Sequence, residues 1–399
     1  MTEREILALV DDEGAIKLTQ ELIRIPSENP PGDELPVVEH LENWLKTRGF
    51  EVQMICAEPG RPNLIVSYGP DSGPVFMLNG HTDVVPPGDG WTVAPYGGNR
   101  ADGKVFGRGS SDMKGGISAI LHAADAIRKS GAKLKGKLLI VLNADEETGG
   151  KAGAGYLASS GIVKADSCLV CEPSSLMMST AEGGLVWITL TFRGKAVHSV
   201  LAMNGINAVE KALGVACGLL PLKREIMSNV GQGGKPTIFT INMFHGGAKV
   251  NQVPGRCEVS IDVRIPPGVD LSPLGVVDKV EALLADVRKA DPDLDVELSH
   301  RDPIFPFEIP PESPVISVLQ QAIQDVTGRP AEYWHPRQLL KNDDSDLYSW
   351  WTKAHIPGVY FGPGAIEQSH NSDEYIEIDE ITKATRIFAL VALRMLGWE

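Results

Sequence analysis

The sequence predicts an α/β fold with a mainly parallel central sheet, helices on both faces of that sheet, and an inserted α+β domain. Short apolar runs alternate with helical patterns over residues 1–179, which is typical of a parallel sheet. Over 180–302 the order becomes β-α-β-β-α-β, the pattern of a ferredoxin-like domain. The first pattern resumes over 303–399, so we predict one outer domain, 1–179 with 303–399, split by an insertion at 180–302.

In the outer domain, predicted helices and strands follow one another along the chain. A helical stretch at 14–49 is divided by a turn at 25–32, whose Pro and Gly residues end helices. Short apolar runs bounded by turn residues predict strands buried on both faces. These strands are 63–68, 75–78, 138–142, 167–171 and 358–361, and the later helices are 116–129 and 381–396.

In the inserted domain, the run from Leu185 to Phe192 alternates in the manner of a strand with one buried face. Two helical patterns and three further strands follow it. The predicted strands are 185–192, 237–244, 257–265 and 294–300, and the predicted helices are 204–220 and 274–289. This order completes the β-α-β-β-α-β pattern.

Composition and charge favour a small-molecule partner. The 399 residues suggest about two domains. The net charge of −15, from 37 basic and 52 acidic residues, argues against nucleic-acid binding, which requires a basic surface. It does not exclude an anionic substrate, because a bound metal ion can dominate the local charge.

Cysteine usage and the N-terminal sequence predict a cytoplasmic protein. The five cysteines are scattered and odd in number, which indicates reduced thiols. The acidic N-terminus lacks the basic start and apolar stretch of a signal peptide. No apolar run approaches the roughly 20 residues of a membrane span, so we expect no membrane association.

Side chains that can bind metal follow several predicted strands. In open α/β sheets, ligands bind beyond the carboxyl ends of the strands. His81 follows strand 75–78, the Glu146-Glu147 pair follows 138–142, and Glu172 follows 167–171. His370 comes after the last strand, and a Gly-rich loop at 107–111 leads to Asp112 just before a helix. We therefore expect these residues to meet at one edge of the sheet.

These residue types suit a pair of zinc ions. Zinc accepts imidazole nitrogen and carboxylate oxygen, and catalytic sites leave a position open for water. Two ions about 3.5–4 Å apart require a bridging carboxylate. Neighbouring Glu146 and Glu147 point in different directions, so one can bind metal while the other accepts a proton from water. Asp83, two residues after His81, can orient the imidazole of that residue.

Seven sequence stretches carry a family resemblance over nearly the whole chain. They are GHTDVVP (80–86), GRGSSDMKGG (107–116), DEETGG (145–150), CEP (171–173), GKAVHSV (194–200), NQVPGRCEVSIDVR (251–264) and FGPG with His370 (361–370). In this order they resemble the two-zinc amidohydrolases and metallopeptidases that include acetylornithine deacetylase, succinyl-diaminopimelate desuccinylase, aminoacylase and carboxypeptidase G. The resemblance implies a zinc-peptidase-like catalytic domain and agrees with the insertion.

The resemblance also implies a role for each residue of the metal centre. His81 and Glu172 would hold one zinc ion, and Glu147 and His370 the other. Asp112 would bridge the two ions, next to a non-proline cis peptide bond. Glu146 would be the general base and then the proton donor to the leaving amine, and Asp83 would support His81. Cobalt or manganese are the expected substitutes for zinc.

Further residues match family positions around the substrate. His198 would help to stabilise the oxyanion, commonly across a dimer interface, and an ordinary loop histidine is the alternative. Asn251 and Arg264 would touch the substrate, with Arg264 near its carboxylate; a strand-end ion pair is the alternative for Arg264. Gly362 and Gly364 would let the backbone approach the substrate closely. We expect a homodimer formed through the inserted domain.

One segment departs from the family pattern. Many members have a Gly/Thr-rich segment ending in Asp before the last strand, whereas this chain has KNDDSD at 341–346. Ser345 and Asp346 are the candidates for equivalent positions. The alternative is a solvated acidic loop over Asp343–Asp346. The departure concerns the substrate pocket and not the metal centre.

The motifs favour amide hydrolysis over dinucleotide binding or serine-based catalysis. The GRGSSD stretch lacks the third Gly of a dinucleotide-binding loop, and no G-x-S-x-G elbow is present. A non-catalytic relative with the same fold remains an alternative, although no ligand is missing. The favoured reaction is hydrolysis of the amide bond of a small N-acyl amino acid bearing a carboxylate. The alternative is cleavage of a short peptide by a dipeptidase or carboxypeptidase.

Overall fold

A computed structural model describes residues 1–333 and 345–399. The chain forms two compact units. The first unit contains Met1–Thr180, 309–333 and 345–399, and the second unit is Ala181–Glu308. The sequence placed the insertion at 180–302; that the two units are separate domains stays a prediction. Within the described ranges, no helix is long and apolar enough to cross a membrane.

The N-terminal part of the first unit contains five helices and seven strands. The helices are α1 (Glu3–Leu7), α2 (Asp12–Ile23), α3 (Leu35–Lys46), α4 (Gly115–Ser130) and α5 (Ala154–Ser159). The strands are β1 (Glu51–Cys56), β2 (Pro62–Tyr68), β3 (Val75–His81), β4 (Asn99–Ala101), β5 (Lys104–Phe106), β6 (Lys137–Asn143) and β7 (Ser167–Val170). Thus a turn does divide the helical stretch predicted at 14–49.

The second unit is built on an antiparallel sheet. Its elements are β8 (Ala181–Glu182), β9 (Gly184–Arg193), β10 (Val197–His198), α6 (Ala208–Met227), β11 (Ile238–Gly246), β12 (Gln252–Val253), β13 (Arg256–Ile265), α7 (Pro273–Ala290), β14 (Asp295–His300) and β15 (Phe307–Glu308). Four strands pair in the order β11-β13-β9-β14. Apolar residues of this sheet form one buried core with those of α6 and α7. The strand order is that of a split β-α-β arrangement.

The chain then returns to the first unit. Its last elements are α8 (Pro314–Thr327), α9 (Asp346–Ala354), β16 (Gly358–Tyr360), β17 (Tyr375–Glu377) and α10 (Ile378–Leu396). β16 extends the central sheet, β17 pairs with β5, and α10 packs against α4.

The central sheet confirms the predicted fold class. Its strand order is β1-β2-β6-β3-β7-β16, and β6, β3, β7 and β16 run parallel. Six consecutive residues of β3 and of β6, and all of β7, are buried. Because consecutive strand residues point to opposite faces, both faces of the sheet are covered. The sheet is therefore a mainly parallel layer inside the first unit.

The carboxyl ends of three parallel strands lie side by side. β3 runs three residues beyond the predicted 75–78 and ends at His81, which pairs with Asn143 at the end of β6. The extension was missed because Asn79, Gly80 and His81 are not apolar, yet all three are buried. His81 is thus held by strand pairing rather than by a loop.

Candidate active site

His81 lies at the centre of the candidate site and is fully buried. Its Nδ1 is 3.0 Å from the backbone oxygen of Asp83, and its Nε2 is 3.0 Å from Oδ1 of Asp112. Burial would lower the pKa of His81, but hydrogen bonds with Asp112 and Asp83 and the charge of Glu146 raise it well above its usual value. The surroundings of His81 therefore favour positive charge.

Asp83 joins His81 to the turn that carries the two glutamates. The Asp83 carboxylate accepts hydrogen bonds from the backbone N–H groups of Glu146, at 3.2 Å, and Glu147, at 3.0 Å. Asn29 Nδ2 donates a third, at 2.8 Å. Burial would raise the pKa of Asp83, but the interactions with His81, Asn29 and Glu147 lower it, so the carboxylate is held in its charged form.

Asp112 lies between two imidazoles. Its Oδ1 faces Nε2 of His81, and its Oδ2 is 3.7 Å from Nε2 of His370. Asp112 follows the Gly-rich loop and lies just before α4, with non-helical backbone angles (φ −121°, ψ 90°). The peptide bond between Asp112 and Met113 is cis, as the family resemblance implies.

Glu147 and His370 form the other side of the site. His370 Nε2 lies 2.9 Å from Oε2 of Glu147, and that interaction raises the pKa of His370. Burial and the charge of Asp112 raise the pKa of Glu147. Glu147 Oε1 is buried with no hydrogen-bond partner among the described residues. An acceptor left in this way is suited to a cation.

The structure brings the five predicted ligands and Glu146 together. Ligand atoms of His81, Glu146 and Glu172 lie within 4.8 Å of one another, and so do those of His81, Asp112 and Glu147. His370 joins the second group through its contacts with Glu147 and Asp112. Four carboxylates beside two imidazoles place an excess of acidic groups in a mostly buried site, and a bound cation would compensate their negative charge. Imidazole nitrogen and carboxylate oxygen are both donors that zinc accepts.

Gly362 and Gly364 allow close packing of the loops around the site. A Cβ atom on Gly362 would lie 2.6 Å from the backbone oxygen of Glu172. One on Gly364, whose φ is +88°, would lie 2.5 Å from Oγ of Ser111. Glycine is thus required at both positions by neighbouring loops of the protein itself, and a contact with substrate stays a prediction.

The predicted residues of the inserted region lie in the second unit. His198 ends β10, where its Nδ1 accepts a hydrogen bond from the backbone N–H of Val200 at 3.3 Å. The backbone oxygen of Asn251 accepts from Ser199. Arg264 lies on β13, and its Nε donates to Oδ1 of Asp262 at 2.8 Å, so the ion pair considered as the alternative for Arg264 is present. The roles of His198, Asn251 and Arg264 in binding or catalysis stay predictions.

The acidic segment is only partly described, since 341–344 lie outside the described residues. Ser345 and Asp346 are each 1% exposed, so the solvated-loop interpretation is wrong for these two. Asp346 Oδ1 accepts a hydrogen bond of 3.0 Å from Asn143 Nδ2. Burial raises the pKa of Asp346 to about 7, and the charge of Glu172 acts in the same direction, whereas His81 opposes it.

Sequence reasoning missed residues that support the candidate metal ligands. Asn29 binds Asp83, Asn143 binds Asp346, and Glu374 accepts hydrogen bonds from the loop that carries Asp112. The signal that was available for Glu374 is its place four residues after His370. Asn29 lies in the turn at 25–32, which was interpreted only as a break between helices.

Comparison with known proteins assigns the chain to a family. A family model described as Peptidase family M20/M25/M40 matches residues 77–394. The chain belongs to this family. As a member of family M20/M25/M40 it is a hydrolase that acts on amide or peptide bonds. The family match thus agrees with the site geometry and with the sequence resemblance.

Individual family members resemble the chain over nearly its whole length. An acetylornithine deacetylase from Vibrio campbellii is 29% identical over 364 residues, which cover 90% of this chain and 91% of the relative. The aminopeptidase PepT from Bacillus cereus has a TM-score of 0.76 at 19% identity, covering 97% of this chain and 99% of that chain. The Bacillus subtilis protein YXEP, a dinuclear metal binding peptidase, has a TM-score of 0.67 at 16% identity, covering 96% and 98%. The two structures show the shared fold.

Proposed function

We propose that the protein hydrolyses the amide bond of a small N-acyl amino acid and uses two zinc ions per chain to do so. The observation that carries this proposal is the convergence of His81, Asp112, Glu147, Glu172 and His370 beside the buried Glu146. Support for the reaction comes from the relative described as an acetylornithine deacetylase.

The donor set suggests how the two ions would be shared. His81 and Glu172 would hold one ion, and Glu147 and His370 the other. Asp112 would serve both, because its two oxygens face different imidazoles. Cobalt or manganese, which accept similar donors, would substitute for zinc. Metal ions held here would lower the pKa of water and polarise the scissile carbonyl.

Glu146 would move the proton. Its carboxylate would accept a proton from the water that attacks the carbonyl carbon, and would then donate that proton to the leaving nitrogen as the C–N bond breaks, so that the amine departs neutral. Asp83 holds the backbone N–H of Glu146 and also accepts from His81, so it fixes the base relative to a ligand. Through Asp83, the turn at 145–148 therefore links the proposed base, Glu146, to the proposed ligand His81.

The substrate would carry a carboxylate, which the protein would bind away from the reacting bond. Arg264 and Asn251 are the proposed anchors, together with backbone groups of Gly362 and Gly364. His198 would stabilise the oxyanion. A homodimer formed through the second unit is proposed on the family resemblance, and a cytoplasmic location is proposed on the five scattered cysteines. A monomer by light scattering that is still active would reject a role for His198 across a dimer interface.

Peptide cleavage is the second candidate, because the structural relative PepT is described as an aminopeptidase. The test is a screen of N-acetyl, N-succinyl and N-formyl amino acids against dipeptides and tripeptides with the zinc-loaded enzyme. Higher kcat/KM for an N-acyl amino acid supports deacylation. Higher kcat/KM for a peptide would replace that assignment with a peptidase, while leaving the metal centre unaffected.

A further inference from the structure

Glu374 is a buried carboxylate that binds the loop preceding the candidate metal ligand Asp112. Its side chain is fully buried, four residues after His370. Its Oε1 accepts from the backbone N–H of Ser111 at 2.8 Å and of Asp112 at 3.1 Å. Its Oε2 accepts from the N–H of Gly109 at 3.0 Å. Three backbone donors of one loop therefore converge on one side chain.

Arg108 completes the coordination of this carboxylate. Its Nη1 donates to Oε2 of Glu374 at 2.6 Å, and Arg108 is itself only 1% exposed. Each oxygen of Glu374 thus accepts two hydrogen bonds. A buried carboxylate that accepts this many hydrogen bonds is pre-organised, and removal of one acceptor would leave buried N–H groups unpaired.

The main chain joins the same two segments. The backbone oxygen of Glu374 accepts from the N–H of Gly107 at 2.8 Å. Directly after it, β17 pairs with β5, with Tyr375 opposite Phe106. The segment that carries His370 is therefore bound to the segment that carries Asp112 by backbone pairing and by the Glu374 side chain.

We propose that Glu374 is a positioning residue for the metal centre, because it sets the place of Asp112 relative to His370 and His81. Asp112 must present its two oxygens to two different imidazoles, at 3.0 and 3.7 Å, and only a fixed backbone keeps both distances. The inference rests on the proposed metal-dependent function. It adds a residue that touches neither substrate nor metal.

The test compares Glu374→Gln with Asp125→Asn in the metal-loaded enzyme. Gln keeps the shape of Glu but turns an amide NH₂ toward two donors. Asp125 is a matched control, since it is also a buried carboxylate with ion-pair partners, Arg128 and Lys129, on its own helix. Metal loss to a chelator and the visible spectrum of the cobalt-substituted enzyme are measured, because a merely structural role would leave both unchanged.

We expect Glu374→Gln to weaken metal affinity about 10- to 100-fold, to alter the cobalt spectrum, and to lower kcat more than it changes KM. Asp125→Asn should match wild type in all three. Glu374→Asp keeps the carboxyl group but is one methylene shorter. If the Gln variant does not fold, the Asp variant is measured instead, and the same direction of change is expected.

If the Gln variant keeps wild-type metal affinity and a wild-type cobalt spectrum, the positioning role of Glu374 is overturned while the proposed function stands. The same result in the Asp variant has the same meaning if only that variant folds. Equal losses in Asp125→Asn would also overturn it, because the effect would then follow from any lost buried charge. A wild-type protein that holds no metal before or after reconstitution would overturn the proposed function as well.

Discussion

At the residue scale, the candidate site depends on pairs of side chains with divided roles. Asp83 holds the backbone N–H groups of both Glu146 and Glu147, while His81 Nδ1 lies 3.5 Å from its carboxylate. Adjacent residues of a tight turn point in different directions. By holding both backbone N–H groups, Asp83 can therefore direct Glu147 toward metal and leave Glu146 to carry a proton.

The first prediction separates those two glutamates. Glu146→Gln should lower kcat about 10²- to 10⁴-fold, the usual contribution of a general base, and should keep the bound metal. Glu147→Gln is the matched variant one residue away and should lose metal. Steady-state kinetics and metal analysis on both variants check this; a Glu146→Gln enzyme with wild-type kcat would refute the assignment of the base.

At the element scale, three parallel strands and the loops that follow them place the ligands. β3 ends in His81, while the chain after β6 continues to Glu146 and that after β7 to Glu172. These loops pack closely against neighbouring elements. A Cβ atom on Gly153, just before α5, would lie 1.8 Å from the backbone oxygen of Ala144. The turn carrying Glu146 thus requires glycine at its far side.

A second prediction follows from that contact. Gly153→Ala should lower the free energy of unfolding by about 1–3 kcal/mol and reduce activity, because the backbone before Glu146 must shift. Gly214→Ala, in α6, meets nothing within 4 Å and should raise that free energy by about 0.5–1 kcal/mol. Denaturant unfolding of both variants tests the pair, and equal effects would contradict the packing argument.

The third prediction concerns pH and α4. Burial would raise the pKa of Asp125, but its ion pairs with Lys129 and Arg128 lower it below the usual value. A carboxyl group with a lowered pKa stabilises the folded state above its unfolded-state pKa of about 3.9. That contribution is lost as pH falls through the folded-state pKa. Wild type should therefore lose stability more steeply with acid than Asp125→Asn. Parallel acid-unfolding curves would contradict it.

The sequence predicted the residues that converge at the candidate site better than the residues that support them. Ligands such as His81 and Glu172 follow apolar runs in recognisable motifs, so strand ends identify them. Glu374 and Asn143 act through contacts with residues 262 and 203 positions away, which no local pattern reveals. The outer strand β1 was missed because it is half exposed and therefore lacks the apolar run of a central strand.

At the scale of the whole molecule, an acidic chain of net charge −15 concentrates carboxylates in the interior of its first unit. Burying them costs free energy unless a cation compensates, so metal binding and the stability of this unit should be linked. Metal removal is then expected to lower the melting temperature as well as the activity. The second unit contains none of the five proposed metal ligands.

The most direct measurement is the metal content of the purified chain, followed with amidase activity through one cycle of chelation and reconstitution. We expect two divalent ions per chain, loss of activity on chelation, and its return with Zn²⁺ or Co²⁺. Activity that survives complete removal of metal, or a chain that holds no metal even after reconstitution, would contradict the account.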